Sequence, residues 1–167
     1  MTQTTHAVVV DSFGGPEVLD YRAVPLADPA PGEALIRHTA IGLKFIDTYH
    51  RSGLYPLDPP ITPGTEAAGI VEAVGEGVTV VAPGDRVAYT GMPIGSYAQH
   101  RCFPADRLVA IPDGIDDQTA AALMLKGLTA WYLLYRSYPA KSGDQVLAFA
   151  AAGGVGSILC QWASHLG

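Results

Sequence analysis

With 167 residues, 10 basic and 16 acidic side chains and a formal charge of -6, the chain has room for one full domain plus part of a second, or for one large domain. The acidic balance argues against nucleic acid or anionic lipid as partners held by bulk electrostatics, and leaves a small, neutral or locally recognised ligand. The 19 glycines and 13 prolines favour short strands and many reversals, while Cys102 and Cys160 form neither a disulfide framework nor a C-x-x-C metal pair, which fits a reducing compartment.

The N-terminal stretch "MTQTTHAVVVDSF" lacks the basic region and long apolar run of a secretory signal and reads as a first strand. From Ala7 to about Val109 the pattern is β-rich. "HAVVVDSF", "EALIRHTAIGL", "AAGIVEAVG", "DRVAYTG" and "RLVAIP" are short runs with β-branched residues between Gly/Pro-bearing turns, which predicts a compact barrel or sandwich. The Pro-rich "HRSGLYPLDPPITPGTE" and the Pro83-Gly84 turn in "VTVVAPGDRV" read as loops within it.

At Asp113 the pattern changes. "DGIDDQTAAALMLKGLTAWYLLYRSY" opens on acidic residues and Thr, continues with Ala, Leu and Met at helical spacing, and is closed by Pro139. After a "KSGD" turn, "QVLAFA" (145–150) is a continuous apolar run of the kind that forms a strand buried on both faces of a parallel sheet. A glycine turn and a further helix follow. Val146 to Cys160, the longest near-apolar run, is too short for a bilayer and contains three glycines, so the sequence predicts a soluble, cytoplasmic protein.

A strand, then Ala151-Ala152-Gly153-Gly154-Val155-Gly156, then a helix is the layout that sets backbone N–H groups against a pyrophosphate. The match is A-x-G-x-x-G, with Ala151 in place of the first glycine. On this motif alone, a tight turn with no ligand stays open. The residue ~20 positions further on that separates NAD from NADP lies past Gly167.

Six ordered segments then point one way: "GGPEVL" (14–19), "AIGLKFIDTYHRSGLYP" (40–56), "GTEAAGIVEAVG" (64–75), "PGDRV" (83–87), "LKGLTAWYLL" (125–134) and "GDQVLAFAAAGGVGSILCQWAS" (143–164). Together they resemble the zinc-independent quinone oxidoreductases, zeta-crystallin-like members of the medium-chain dehydrogenase/reductase superfamily, over their N-terminal half. The resemblance implies an α/β chain with a β-rich part: a GroES-like β-barrel catalytic domain over residues 1–125, and over 126–167 the first strand, loop and helix of a Rossmann domain cut short. It also implies NADPH as cofactor, a quinone or conjugated carbonyl as substrate, and a homodimer at full length. An alkenal or enone reductase on the same scaffold, or a non-enzymatic fragment, are the alternatives.

By the same resemblance Phe45, Ile46, Asp47, Thr48 and Tyr49 lie beside the nicotinamide and phosphates. Tyr49 and Tyr55 hold the substrate, Lys126, Thr129 and Tyr132 face the cofactor, and Gly153, Gly154, Val155 and Gly156 form its phosphate loop. The plainer readings are tyrosines that anchor a loop, a Lys126 in a surface ion pair and a Tyr132 in the core. Zinc-binding members of the superfamily carry a cysteine where this chain has Lys44 and a histidine where it has Thr65, neither of which suits a tetrahedral N/S site. The histidines (His6, His38, His50, His100, His165) are scattered, so no metal is expected. Lys44 replaces the family's asparagine, and either donates to a quinone oxygen or cofactor phosphate or points to solvent. Asp47, Glu66, Asp85 and Arg86 read, from the residues themselves, as turn-fixing or buried hydrogen-bonding groups.

Overall fold

The computed structural model describes residues 3–167, which divide into one compact unit ending at Ala122 and a second, Leu123–Gly167. In the first, β1 (Gln3–Val9) and β2 (Asp20–Leu26) form an antiparallel pair. The remaining strands are β3 (Glu33–Ile41), β4 (Glu66–Val74), β5 (Arg86–Thr90), β6 (His100–Pro104) and β7 (Val109–Ala110). They make one antiparallel sheet in the order β6-β3-β4-β5-β7. Helix α1 (Phe45–Ser52) follows β3.

The sheet is open, which corrects the expected β-barrel: β6 and β7 end it as edges and no ladder joins them among the described residues. Curvature comes instead from register shifts between β3 and β4 at Leu35/Ile36 and His38/Ala40, each of which bends and twists a strand. β1 is held to the rest by Val8 N–H on the Tyr97 carbonyl (2.8 Å) and Gln99 N–H on the His6 carbonyl (2.8 Å).

The core beneath this sheet is built from Ala34, Ile36, Val71, Val87, Tyr89 and Phe103. Tyr89 and Phe103 stack at 4.2 Å, and the Arg101 guanidinium lies 4.8 Å from the Phe103 ring and 5.4 Å from that of Tyr89. In β4 the run Glu66-Ala67-Ala68-Gly69 is wholly buried, because neighbours cover it on both faces. Gly69 permits this: a Cβ there would press on the Arg37 carbonyl and lie 2.7 Å from Ile36 Cγ2.

A buried polar chain crosses this core. His38 Nδ1 meets the Ala98 carbonyl at 2.6 Å, and a carbonyl only accepts, so Nδ1 carries the proton. Nε2 then accepts from the Tyr89 hydroxyl (2.8 Å), which accepts in turn from Ser96 Oγ (3.0 Å). Burial, aided by the Arg101 and His100 charges, pushes His38 down to about 4 against the opposing pull of the Ala98 carbonyl. The unfolded chain therefore binds a proton that the folded chain refuses between about pH 6.5 and 4. Stability is expected to fall across that window as pH drops, by on the order of 3 kcal/mol from this group. Urea midpoints measured at pH 7, 5.5 and 4 check the slope, and a His38→Leu variant flattens it.

In the second unit, α2 (Asp117–Tyr132), which begins in the first, runs into a π-helical turn over Leu133–Ser137, and α3 (Gly154–Leu166) follows. Tyr135 meets Trp131 at 6.4 Å and Trp162 at 5.7 Å, tying the turn to α3. The strand expected over 145–150 does not form, which corrects the expected first Rossmann strand. A parallel strand needs neighbours on its edges and cover on its faces. Among the described residues it has neither, and Leu147 and Phe149 stand 82% and 86% exposed. Among the described residues no helix is long and apolar enough to cross a membrane.

Candidate active site

The segment 45–49 is the first part of α1. Lys44 N–H donates to Asp47 Oδ2 at 3.0 Å, a reach-back across the first turn that caps the helix. Gly53, at φ 79°, stops it in the left-handed conformation, where a Cβ would lie 2.7 Å from the Phe13 ring. The turn brings Tyr55 back under the helix, its N–H on the Tyr49 carbonyl at 3.3 Å.

The outer side of α1 is an aromatic rim. Phe45 and Tyr49 meet edge to face at 5.3 Å, and Tyr49 and Tyr55 do so at the same separation. Edge contacts of this kind add about 0.5–1.5 kcal/mol each beyond the area they bury. Phe45 and Tyr55 are exposed, Tyr49 and Ile46 half-buried. Thr48 Oγ1 turns back to the Phe45 carbonyl at 2.6 Å. Asp47 points the other way: it is buried, and Tyr97 donates to its Oδ2 at 2.9 Å. Burial and the Asp47 carboxylate together push the Tyr97 phenol well above its ordinary range.

Lys44 takes neither of its two expected orientations. Its side chain runs inward, where Nζ lies 2.9 Å from Glu66 Oε2 in an ion pair only 5% and 0% exposed. The same ammonium donates to Thr65 Oγ1 at 3.1 Å and Thr90 Oγ1 at 3.3 Å. Lys44 and Thr65 thus meet at an internal cation. Among the described residues no group of three or more His, Cys, Asp or Glu side chains is placed to hold a metal. Asp85 and Arg86 fix turns as expected: Asp85 Oδ2 accepts from Ala82 N–H (2.8 Å), and Arg86 clamps Asp117 at the start of α2 with Nη2 to Oδ1 at 2.6 Å.

The second unit carries the glycine loop. Ala150 adopts φ 52°, a left-handed backbone rare for a residue with a side chain, and its carbonyl accepts from Gly153 N–H at 2.9 Å. Gly153 is the N-cap of α3 and offers no side chain to its first amides. Gly156 is buried against the loop, where a Cβ would strike the Ala150 carbonyl and lie 2.8 Å from Ala151 Cα. Gly154 is exposed, and the Lys126 stem passes over it, Cδ and Cε 3.0 Å from where a Cβ would sit. Val155 is half-buried. Thr129 bonds back to the Leu125 carbonyl at 2.7 Å, and Tyr132 is exposed. The loop thus presents uncapped amides beside a lysine, the elements of an anion site.

These features match known proteins. Residues 30–113 match the alcohol dehydrogenase GroES-like domain, and the chain belongs to that family. Within the medium-chain dehydrogenase/reductase superfamily its similarity runs to the quinone oxidoreductases. It is 54% identical over 157 residues to a quinone oxidoreductase of Pseudomonas aeruginosa, covering 93% of this chain and 48% of that one. A 2-haloacrylate reductase of Burkholderia sp is 47% identical, covering 96% of this chain and 50% of the relative. The solved Escherichia coli quinone oxidoreductase in complex with NADPH superposes with a TM-score of 0.93 at 48% identity, over 97% of this chain and 50% of that one. The chain spans about half the length of the curated relatives it matches.

Proposed function

We propose that this chain is the N-terminal half of an NADPH-dependent quinone reductase that works without a metal, with residues 1–125 serving the acceptor and 126–167 opening the cofactor domain. The observation that carries the cofactor is the turn at Gly153. Amides with no side-chain cap, a Gly156 with no room for a Cβ and the Lys126 stem across Gly154 suit a pyrophosphate in donor chemistry and in charge. NADPH, when bound, supplies the hydride. Gly153, Gly154, Val155 and Gly156 hold its phosphates, with Lys126 adding positive charge beside them and Thr129 and Tyr132 facing it from α2.

On the acceptor side, the α1 rim packs its rings on a planar quinone while the Tyr49 and Tyr55 hydroxyls donate to its oxygens. Phe45, Ile46 and Thr48 complete the wall, and Asp47 acts from behind by holding α1. Lys44 is engaged with Glu66, Thr65 and Thr90, so the acceptor's own electron affinity, with the tyrosine donors, carries the polarisation. Changing Tyr49 and Tyr55 together to Phe keeps the rim and removes its donors. Turnover is expected to fall on the order of 10- to 100-fold, and full turnover in the double variant contradicts the role.

The 2-haloacrylate reductase among the relatives supports a second reading, reduction of an electron-poor C=C bond on the same rim. Comparing turnover on a quinone with that on an alkenal separates the two, and a strong preference for the alkenal favours the second. The resemblance further suggests a cytoplasmic homodimer acting on small molecules.

A further inference from the structure

No strand runs closely along α1 among the described residues, so its place is set by the side chains that reach it. One of these comes from a firm base. Ahead of β6, the N–H groups of Gly95 and Ser96 share the Gly64 carbonyl at 2.8 and 3.1 Å, Tyr97 N–H donates to the Pro63 carbonyl at 2.9 Å, and the Tyr97 carbonyl accepts from Val8 N–H at 2.8 Å. Gly64, at φ 95°, gives the Tyr97 ring its room: a Cβ there would stand 2.5 Å from the ring's Cδ1.

From this base the Tyr97 hydroxyl donates at 2.9 Å to Oδ2 of Asp47, a carboxylate only 5% exposed. Burial, with the Asp47 carboxylate, keeps the phenol protonated beyond its ordinary range, so the donor is constant. The same Oδ2 accepts from Lys44 N–H at 3.0 Å, and the bond therefore grips the first turn of α1 at its cap. At 3.6 residues per turn, Phe45 and Tyr49 stand roughly 200° round the helix from Asp47. A bond to the inner side thus sets the tilt of the rim on the outer side. Tyr55 follows, because its N–H lies on the Tyr49 carbonyl and its ring on the Tyr49 ring.

We propose that Tyr97 is a positioning residue: its hydroxyl holds α1 through Asp47 so that Tyr49 and Tyr55 aim their donors at the acceptor. The proposal rests on the acceptor role given to the rim. With Lys44 tied to Glu66 and Arg51 Nε to the Gly14 carbonyl, loss of the Tyr97 bond loosens α1 without undocking it.

Tyr97→Phe removes the hydroxyl and keeps the ring on Gly64. Amide hydrogen exchange over the whole chain reads the hold on the helix. The amides of α1 are expected to exchange about tenfold faster or more, with those of β3, β4 and β5 unchanged. Unchanged rates in α1, or an acceleration shared by the strands, overturn the proposal. Quinone turnover reads the role. Y97F is expected to lower kcat roughly tenfold. Introduced into Y49F/Y55F it costs less than about twofold more, because the groups it aligns are gone. A loss as large in that background as in the parent means that Tyr97 does not act through the two tyrosines, and it too overturns the proposal. A parent that turns over no quinone refutes the acceptor reading instead, and the exchange rates still decide whether Tyr97 holds α1.

Discussion

Replacing Lys44 with Met is expected to destabilise the protein by about 3–5 kcal/mol, the loss typical of removing one partner from a buried ion pair. The size follows from the surroundings. Glu66 is fully buried, and the variant takes away the ammonium at 2.9 Å along with its bonds to Thr65 and Thr90. Desolvating a carboxylate without that cation costs more than the pair gains when intact. For the same reason the double variant K44M/E66Q is expected to recover much of the loss, because neither charge of the pair is then left buried without its partner. Denaturant midpoints for the two single variants and the double give the coupling energy. A K44M variant within about 0.5 kcal/mol of the parent, the scatter of ordinary surface substitutions, would mean that the lysine is solvated after all. Helix α1 thus starts from a covalently tethered internal cation.

The second large effect falls on the glycine loop. Gly156→Ala is expected to weaken NADPH binding on the order of 10- to 100-fold, because overpacking against backbone costs about 1–3 kcal/mol or displaces the loop. The added Cβ meets the Ala150 carbonyl and the Ala151 Cα, neither of which can swing aside. Gly154→Ala is the matched control. Its Cβ meets only the flexible Lys126 stem at 3.0 Å, so a loss of less than about fivefold is expected, under 1 kcal/mol. Equal effects at the two positions would show that the close approach at Gly156 is not what shapes the site.

The two variants also mark what sequence can and cannot show. Strands β3, β4 and β5 are legible because β-branched runs end at Gly- or Pro-bearing turns. β2 is not, since a two-stranded ribbon leaves every side chain of Asp20–Leu26 exposed or half-buried and imposes no apolar alternation. β6 hides for a similar reason, with Phe103 its one buried residue. α1 is built from Phe, Ile, Thr, Tyr and His, which are weak helix formers; the Lys44–Asp47 cap and the Gly53 stop make it a helix. In "QVLAFA" the apolar run is plain to read, but strand formation depends on neighbours that residues 3–167 do not provide.

The same division holds in the site. Gly153 to Gly156 announce themselves, because a tight turn into α3 restricts residue type locally. The inward turn of Lys44 depends on Thr65, Glu66 and Thr90, distant in sequence and brought together only by the pairing of β4 with β5. A lysine two residues after a glycine, in a segment otherwise matched to an asparagine family, is the one local sign that this position differs. Its destination is a property of the fold.

Titration of the protein with NADPH, followed by the fluorescence of the reduced nicotinamide and repeated on G156A, tests the cofactor assignment most directly. A saturable, one-to-one curve that weakens markedly in G156A is the predicted result. A signal that climbs linearly with added NADPH, the same in parent and variant, would contradict it.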